Sequence, residues 1–282
     1  MSRSRLAAGA ALAVGLAVVM VLAGCTAAEQ EAPRLQVVTC TSLLEYIAER
    51  VGGDLVDVAN IIPPSQHPGD FDATPGDIRK LADADIFLVH GWPGETFVPG
   101  LIESANNPDL KLVTIQVNGN WMTPQVQMEA TEMVARKFIQ EDPENESSYR
   151  QAADDYKAAV IRKDADIQLR LRESRVGGTP TLCAFWQEGF VRWVGLRVIA
   201  TYGPAELTPQ DTRELVDKGR EGEVTLVVDN LQSGRDAGKG IAEDIGCARV
   251  ILSNFVGAFE NTETWEEAVE KNMDLILEAL GQ

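Results

Sequence analysis

Histidine is almost absent. Two residues in 282, His67 and His90, exclude any centre built from three or four imidazoles of this chain. Basic residues are scarce too: 25 Lys and Arg stand against 43 Asp and Glu, a formal charge of −18, and no Lys/Arg-rich run occurs. Nucleic acid is therefore not an expected partner. Aromatic residues make up only 6%, although five of them are tryptophan. What is present is 45% hydrophobic and 24% charged sequence, which excludes a disordered chain and suffices for a sizeable core. Acidity alone indicates a soluble, self-repelling surface; cation binding is compatible with it and not established by it.

Arg3 and Arg5 precede an apolar and small-residue run from Leu6 to Ala23, closed by Leu22-Ala23-Gly24-Cys25. That is the charged, apolar and small-residue order of a secretory signal. The last four residues resemble the lipobox of bacterial lipoproteins, which implies a signal peptide over 1–24 and a lipid anchor on Cys25. An uncleaved signal anchor is the alternative, since the run just reaches the roughly 17–25 residues of a spanning helix, but Gly9, Gly15 and Gly24 weaken such a helix. Either way the globular part is expected outside the cytoplasm, at the cell membrane, with 25–33 as a polar tether. Three cysteines remain: Cys40, Cys183 and Cys247. An odd number in an oxidising compartment leaves at least one thiol unpaired or ligated.

Short β-branched runs alternate with helical patterns twice. The first series runs from strand Leu35–Cys40 through a helix stopped at Gly52-Gly53, strand Val56–Ile62, a helix from Pro75, strand Ile86–Val89 and a helix near Phe97 to strand Leu112–Val117. The second begins at Thr181 and ends with strand Arg249–Leu252 and a helix over Trp265–Leu280. Between them Glu146–Glu173 lacks Gly and Pro and carries apolar residues at helical spacing, which predicts one long helix of about 40 Å at about 1.5 Å per residue. The expected fold is α/β: parallel-sheet βα lobes over 34–142 and 178–282, joined by a backbone helix within 143–177, with a ligand cleft between the lobes. The halves share architecture and little residue identity.

In open parallel sheets, ligands bind outside the carboxyl ends of the strands. The residues expected there are Cys40, the loop Pro63–Asp72 with His67 and Asp70, His90, Cys183, Trp186, Gln187, Asp229-Asn230 and Asn254. Both histidines and two cysteines fall in this group, which points to a soft or borderline metal, Zn(II) ahead of Cu(I) or Mn(II). The candidate ligands are thus His67, His90, Cys40, Cys183 and Asp229. His67 in its polar turn could instead be solvated, and His90 could cap a strand end. Cys40 and Cys183 could be buried small hydrophobes or could pair with each other. Asp229 could ligate, fix an imidazole as its acceptor, or cap a helix. Trp92, Trp121 and Trp186 are candidates for lining the cleft, and Cys247 reads as structural.

Gly52-Gly53-Asp54, Pro63-Pro64, Phe71-Asp72-Ala73-Thr74-Pro75-Gly76-Asp77, Ala84-Asp85 with its apolar strand, and His90-Gly91-Trp92-Pro93-Gly94-Glu95 together resemble the solute-binding proteins of zinc and manganese ABC transporters. The resemblance runs over the mature chain and is densest from Pro63 to Glu95. It implies two lobes on a long helix, a metal cargo, and a permease and an ATPase as partners of a monomeric, non-enzymatic receptor. The family's ligand positions are not kept: Gly69 stands in the register of its first His, none lies near Asn120-Trp121 for the second, Ala184–Gln187 lacks the third, and Asn254 replaces the fourth, a carboxylate. His90 and the cysteines are the substitutes the sequence offers. The leading expectation is a lipid-anchored zinc receptor, the runner-up the same scaffold retuned to a non-metal solute. A thiol enzyme built on Cys40 or Cys183 with a histidine base is a distant third.

Overall fold

Among the described residues the β-branched runs form eight short strands, and every strand pair is parallel. The computed structural model describes residues 34–203 and 206–282; the signal segment and Cys25 lie outside the described residues. The first half runs β1 (Leu35–Thr39), α1 (Ser42–Gly52), β2 (Val56–Asn60), α2 (Pro75–Ala82), β3 (Ile86–Val89), α3 (Val98–Ala105) and β4 (Lys111–Thr114). Two helices follow, α4 (Pro124–Glu141) and α5 (Glu146–Ser174). The second half runs β5 (Pro180–Ala184), α6 (Glu188–Trp193), β6 (Arg197–Tyr202), α7 (Pro209–Glu221), β7 (Leu226–Asn230), α8 (Leu231–Gly234), α9 (Lys239–Ile245), β8 (Ala248–Leu252) and α10 (Trp265–Ala279). No helix among the described residues is long and apolar enough to cross a membrane.

The sheets have the same order, β2-β1-β3-β4 and β6-β5-β7-β8. In each, the chain reverses its winding between the first and third strands of the half, and the crevice at that point is where such sheets bind ligands. One local device is repeated in sequence as well. Thr74-Pro75-Gly76-Asp77 opens α2 and Thr208-Pro209-Gln210-Asp211 opens α7, each as a reciprocal capping box with proline in the first turn. Each threonine cap is worth about 1 kcal/mol, and the two stand at equivalent places in the halves.

The sequence pattern misses two helices, the short α8 and a long one before α5. Residues 118–142 carry no expected helix, yet α4 occupies 18 of them, entered through Pro124 and burying Val126, Ala130, Val134 and Phe138 at four-residue spacing. It packs on α5, where Phe138 meets Tyr149 at 5.5 Å and the Gln127 amide donates to the Tyr156 hydroxyl at 2.8 Å. The long helix is therefore a packed element of the first half as well as a connector. Toward its far end it is tied to α10, through Lys163 to Glu270 at 2.8 Å and Arg170 to Asp274 at 2.5 Å. One apolar core runs from β1 and α1 through α4 and α5 into α10 and the second sheet, and a smaller one lies under α7 and α9.

Candidate functional site

Among the described residues, six hydrogen bonds join the halves and a seventh braces them within the second half. The Asn120 amide donates to Trp186 O at 2.8 Å and to Asn254 Oδ1 at 2.9 Å, and Asn254 Nδ2 also donates to Trp186 O at 3.0 Å. Gln232 Nε2 donates to Pro64 O at 2.9 Å, Ser42 Oγ to Val256 O at 2.7 Å, Trp265 Nε1 to Trp121 O at 3.2 Å and Tyr46 Oη to Glu266 at 2.7 Å. Gly189 is required by this closeness, since a Cβ there would stand 2.8 Å from the Asn120 Cβ. Beneath these contacts lies a cavity of about 220 Å³, walled by Leu43, His67, Pro68, Trp92, Pro93, Gly94, Gly119, Asn120, Trp121, Trp186, Asn230, Gln232, Asn254 and Phe255.

The wall is aromatic and amide-bearing. It contains no carboxylate, thiol, lysine or arginine, and His67 is its one titratable residue. Trp92 and Phe255 present nearly parallel faces, 7° apart with centroids at 6.4 Å. His67 caps the single turn Pro68–Asp70: its Nδ1 accepts from Gly69 N–H at 3.0 Å, and its ring rests against Gly69 and Gly94. An imidazole whose Nδ1 accepts carries its neutral-form proton on Nε2, so Nε2 faces outward as a donor, not as a lone pair for a metal.

The expected ligands are not gathered in this cavity. Cys40 and His90 do meet, at the crevice between β1 and β3, but beneath Trp92 and with Glu95 as a third member that the sequence reading had not marked as a ligand. Their thiol, imidazole and carboxylate lie within 4.8 Å of one another. The Glu95 carboxylate is saturated: Oε1 accepts from His90 N at 3.0 Å and from Cys40 Sγ at 3.1 Å, and Oε2 accepts from Gly91 N at 2.7 Å and Trp92 N at 3.1 Å. The His90 ring is stacked on Trp92 at 3.6 Å and met edge-on by Trp121 at 4.3 Å, while Nε2 pairs with the Thr41 hydroxyl at 2.7 Å. Burial and then the Glu95 charge push the Cys40 thiol well above its ordinary 9.0, and burial holds His90 well below 6.5. A neutral thiol and a neutral imidazole on a saturated carboxylate form a clasp that fixes the turn carrying Trp92.

Cys183 lies inside β5, and burial lifts its thiol to about 12. All three described cysteines are free, so the Cys40–Cys183 pair is not formed. Asp229 is consumed within the second half: it accepts from Tyr202 Oη at 2.6 Å, Gly238 N at 2.7 Å and Arg249 Nε at 2.6 Å, with its side chain fully buried. Asp70 is exposed and Gln187 is buried with neither amide atom partnered; neither belongs to the cavity wall. Trp92, Trp121, Trp186 and Asn254 are on its wall. Asn120, Gln232 and Phe255 were not singled out as site residues, although each adjoins a residue that was in view: Trp121, the Asp229-Asn230 strand end and Asn254.

The buried neutral His90 has a measurable consequence. Its folded-state pKa lies below its unfolded value, so the unfolded chain binds the extra proton and stability falls as pH drops below about 6.5, by up to about 1.4 kcal/mol per pH unit. His90→Phe should remove this share of the slope between about pH 6.5 and 5 in urea titrations. An unchanged slope would mean that His90 is protonated in the folded state.

The fold and cavity define a two-lobed protein of the binding-protein kind, with a cavity between parallel-sheet lobes held on one long helix. The chain belongs to the family described as zinc-uptake complex component A, periplasmic, whose model matches residues 37–279. It is thus a substrate-binding protein of the metal ABC transporter class and not an enzyme. It is similar to the metal ABC transporter substrate-binding lipoprotein SsaB of Streptococcus sanguinis, with 21% identity over 90% of this chain and 92% of that one. The iron-binding protein YfeA of Yersinia pestis is 22% identical over 89% of this chain and 88% of its own. Among solved structures, the Ni²⁺ complex of the binding protein FpvC from P. aeruginosa superposes with a TM-score of 0.76 at 19% identity, covering 88% of this chain and 97% of that one.

Proposed function

We propose that this chain is the extracytoplasmic, lipid-anchored receptor of an ABC importer for a metal, with zinc as the cargo, and that it works as a monomer beside a permease and an ATPase supplied by other chains. The observation that carries the reading is the cavity between two lobes whose facing edges are hydrogen-bonded through Asn120, Trp186 and Asn254. Closing buries the substrate, and at the mouth of the cavity opening exchanges these polar contacts for contacts with water. The family description supports zinc, and relatives named for manganese and iron make those the competing cargoes. The Cys25 anchor would keep the receptor at the membrane, where the permease is.

The test is the metal content of cells grown with limiting zinc, with and without the gene for this chain. Loss of the chain should lower cellular zinc and leave manganese, iron and copper unchanged. A fall in manganese or iron alone would reassign the cargo, and no change in any metal would sink the importer reading.

A further inference from the structure

A bare divalent ion needs anionic or lone-pair ligands within about 2.0–2.6 Å. The cavity between the lobes offers none of the anionic kind. It offers aromatic faces from Trp92, Trp121 and Phe255, and hydrogen-bond donors. Trp121 Nε1 and Asn230 Nδ2 are buried donors with no partner, both on residues of the cavity wall. His67 adds a third donor at Nε2, because Gly69 N–H occupies Nδ1. A buried N–H left without an acceptor costs about 1–3 kcal/mol, a penalty relieved when a ligand supplies the acceptor. A volume of about 220 Å³ is also far more than one ion fills.

From this we infer that the group touching the cavity wall is a small, flat organic molecule with acceptor oxygens, and that the metal enters as its chelate rather than as an ion held by the protein. The inference rests on the metal-importer reading for the presence of the metal, and on the cavity alone for the organic part. The chelator's ring lies on the tryptophan faces, and its carboxylate or phenolate oxygens accept from His67 Nε2 and, once those buried side chains turn toward the cavity, from Trp121 Nε1 and Asn230 Nδ2. The metal is coordinated by the chelator, so the chain needs no ligand set of its own. This accounts together for the missing carboxylate at Asn254, the missing histidine near Asn120 and the inverted tautomer of His67.

The probes are zinc chloride, dipicolinate, which is a pyridine ring bearing two carboxylates, and the zinc complex of dipicolinate. Binding to the full mature chain is followed by quenching of tryptophan fluorescence and by calorimetry. The expected result is saturable quenching by the complex, with zinc chloride inert. Two variants check the contacts, each with its fold verified by circular dichroism. Asn230→Asp keeps the oxygen that caps α8, where Asn230 Oδ1 accepts from Gln232 N and Ser233 N, but it replaces the donor by a negative charge and should weaken the complex about a hundredfold. Trp121→Phe keeps a ring and removes the N–H, for a loss of about tenfold.

Dipicolinate binding as tightly without zinc would keep the organic ligand and overturn the metal cargo. One equivalent of zinc bound from the chloride, lost in His67→Ala and indifferent to Asn230→Asp, would overturn the chelate and leave the importer reading standing. No quenching by either dipicolinate form up to its solubility limit would also overturn the inference.

Discussion

Replacing Asn120 by His and Asn254 by Asp together should convert a cavity that does not hold bare zinc into one that binds a single equivalent, with an affinity gain of at least about a hundredfold, or roughly 2.8 kcal/mol. The expectation comes from distance and donor type. Asn120 Nδ2 and Asn254 Oδ1 stand 2.9 Å apart across the lobes, and two ligand atoms on a tetrahedral zinc are separated by about 3.4 Å. The substituted side chains can open to that spacing at the cost of the present hydrogen bond. His67, on the same wall, supplies a third ligand once its proton moves to Nδ1 and the Gly69 contact is given up. Three protein ligands with one open position are a stable arrangement for zinc. Calorimetry with zinc chloride measures the gain. Failure of the double variant to bind zinc, with its fold intact, would show that something other than missing donors keeps the bare ion out.

Arg249→Met should destabilise the second half by about 3–5 kcal/mol, because it strands a buried carboxylate. Asp229 has no exposed side-chain surface, and Arg249 is the cation that faces it, at 2.6 Å. Arg249 also ties the Asp236 carboxylate at 2.9 Å, so the loop between α8 and α9 should loosen with it. Equilibrium unfolding in urea reads the loss. A cost below about 1 kcal/mol would mean that Asp229 is compensated without its arginine, as a surface pair would be, and would return it to the ligand candidates.

The alternation of strands and helices was legible because each strand is a short β-branched run and each helix has a proline, threonine or glycine at its ends. The bounds of α5 were read to within one residue, since nothing between Glu146 and Ser174 interrupts a helix. α4 was missed although its buried stripe is regular, because Gln127 and Thr131 lie on the apolar face and blur it; in the fold the Gln127 amide nitrogen donates to Tyr156 and Thr131 bonds to its own helix, while Gln127 Oε1 is buried without a partner.

The site was legible as a place and not as a set of groups. Strand-end reasoning put Cys40, His90 and Asp229 at the ends of β1, β3 and β7, but it cannot tell a residue that faces the cleft from one that turns beneath it. Cys40 and His90 turn beneath because Glu95 gathers the backbone amides of 90–92 and takes the thiol as well. Asp229 turns toward Arg249 for charge. The residues that form the wall are mostly uncharged, and tryptophan and asparagine give a sequence reader little to separate lining from packing. The two-residue displacement of His67 from the family register was visible in the sequence. Its meaning came from the Gly69 amide at its Nδ1.

The account's central claim is that the substrate is held by uncharged donors and aromatic faces and not by protein-metal bonds. Native mass spectrometry of the mature chain, purified untagged and without chelators from the cells that make it, tests this most directly. The account predicts a bound mass larger than any single metal ion, which splits on activation into an organic molecule and one metal. A mass increment of one bare ion per chain would contradict it.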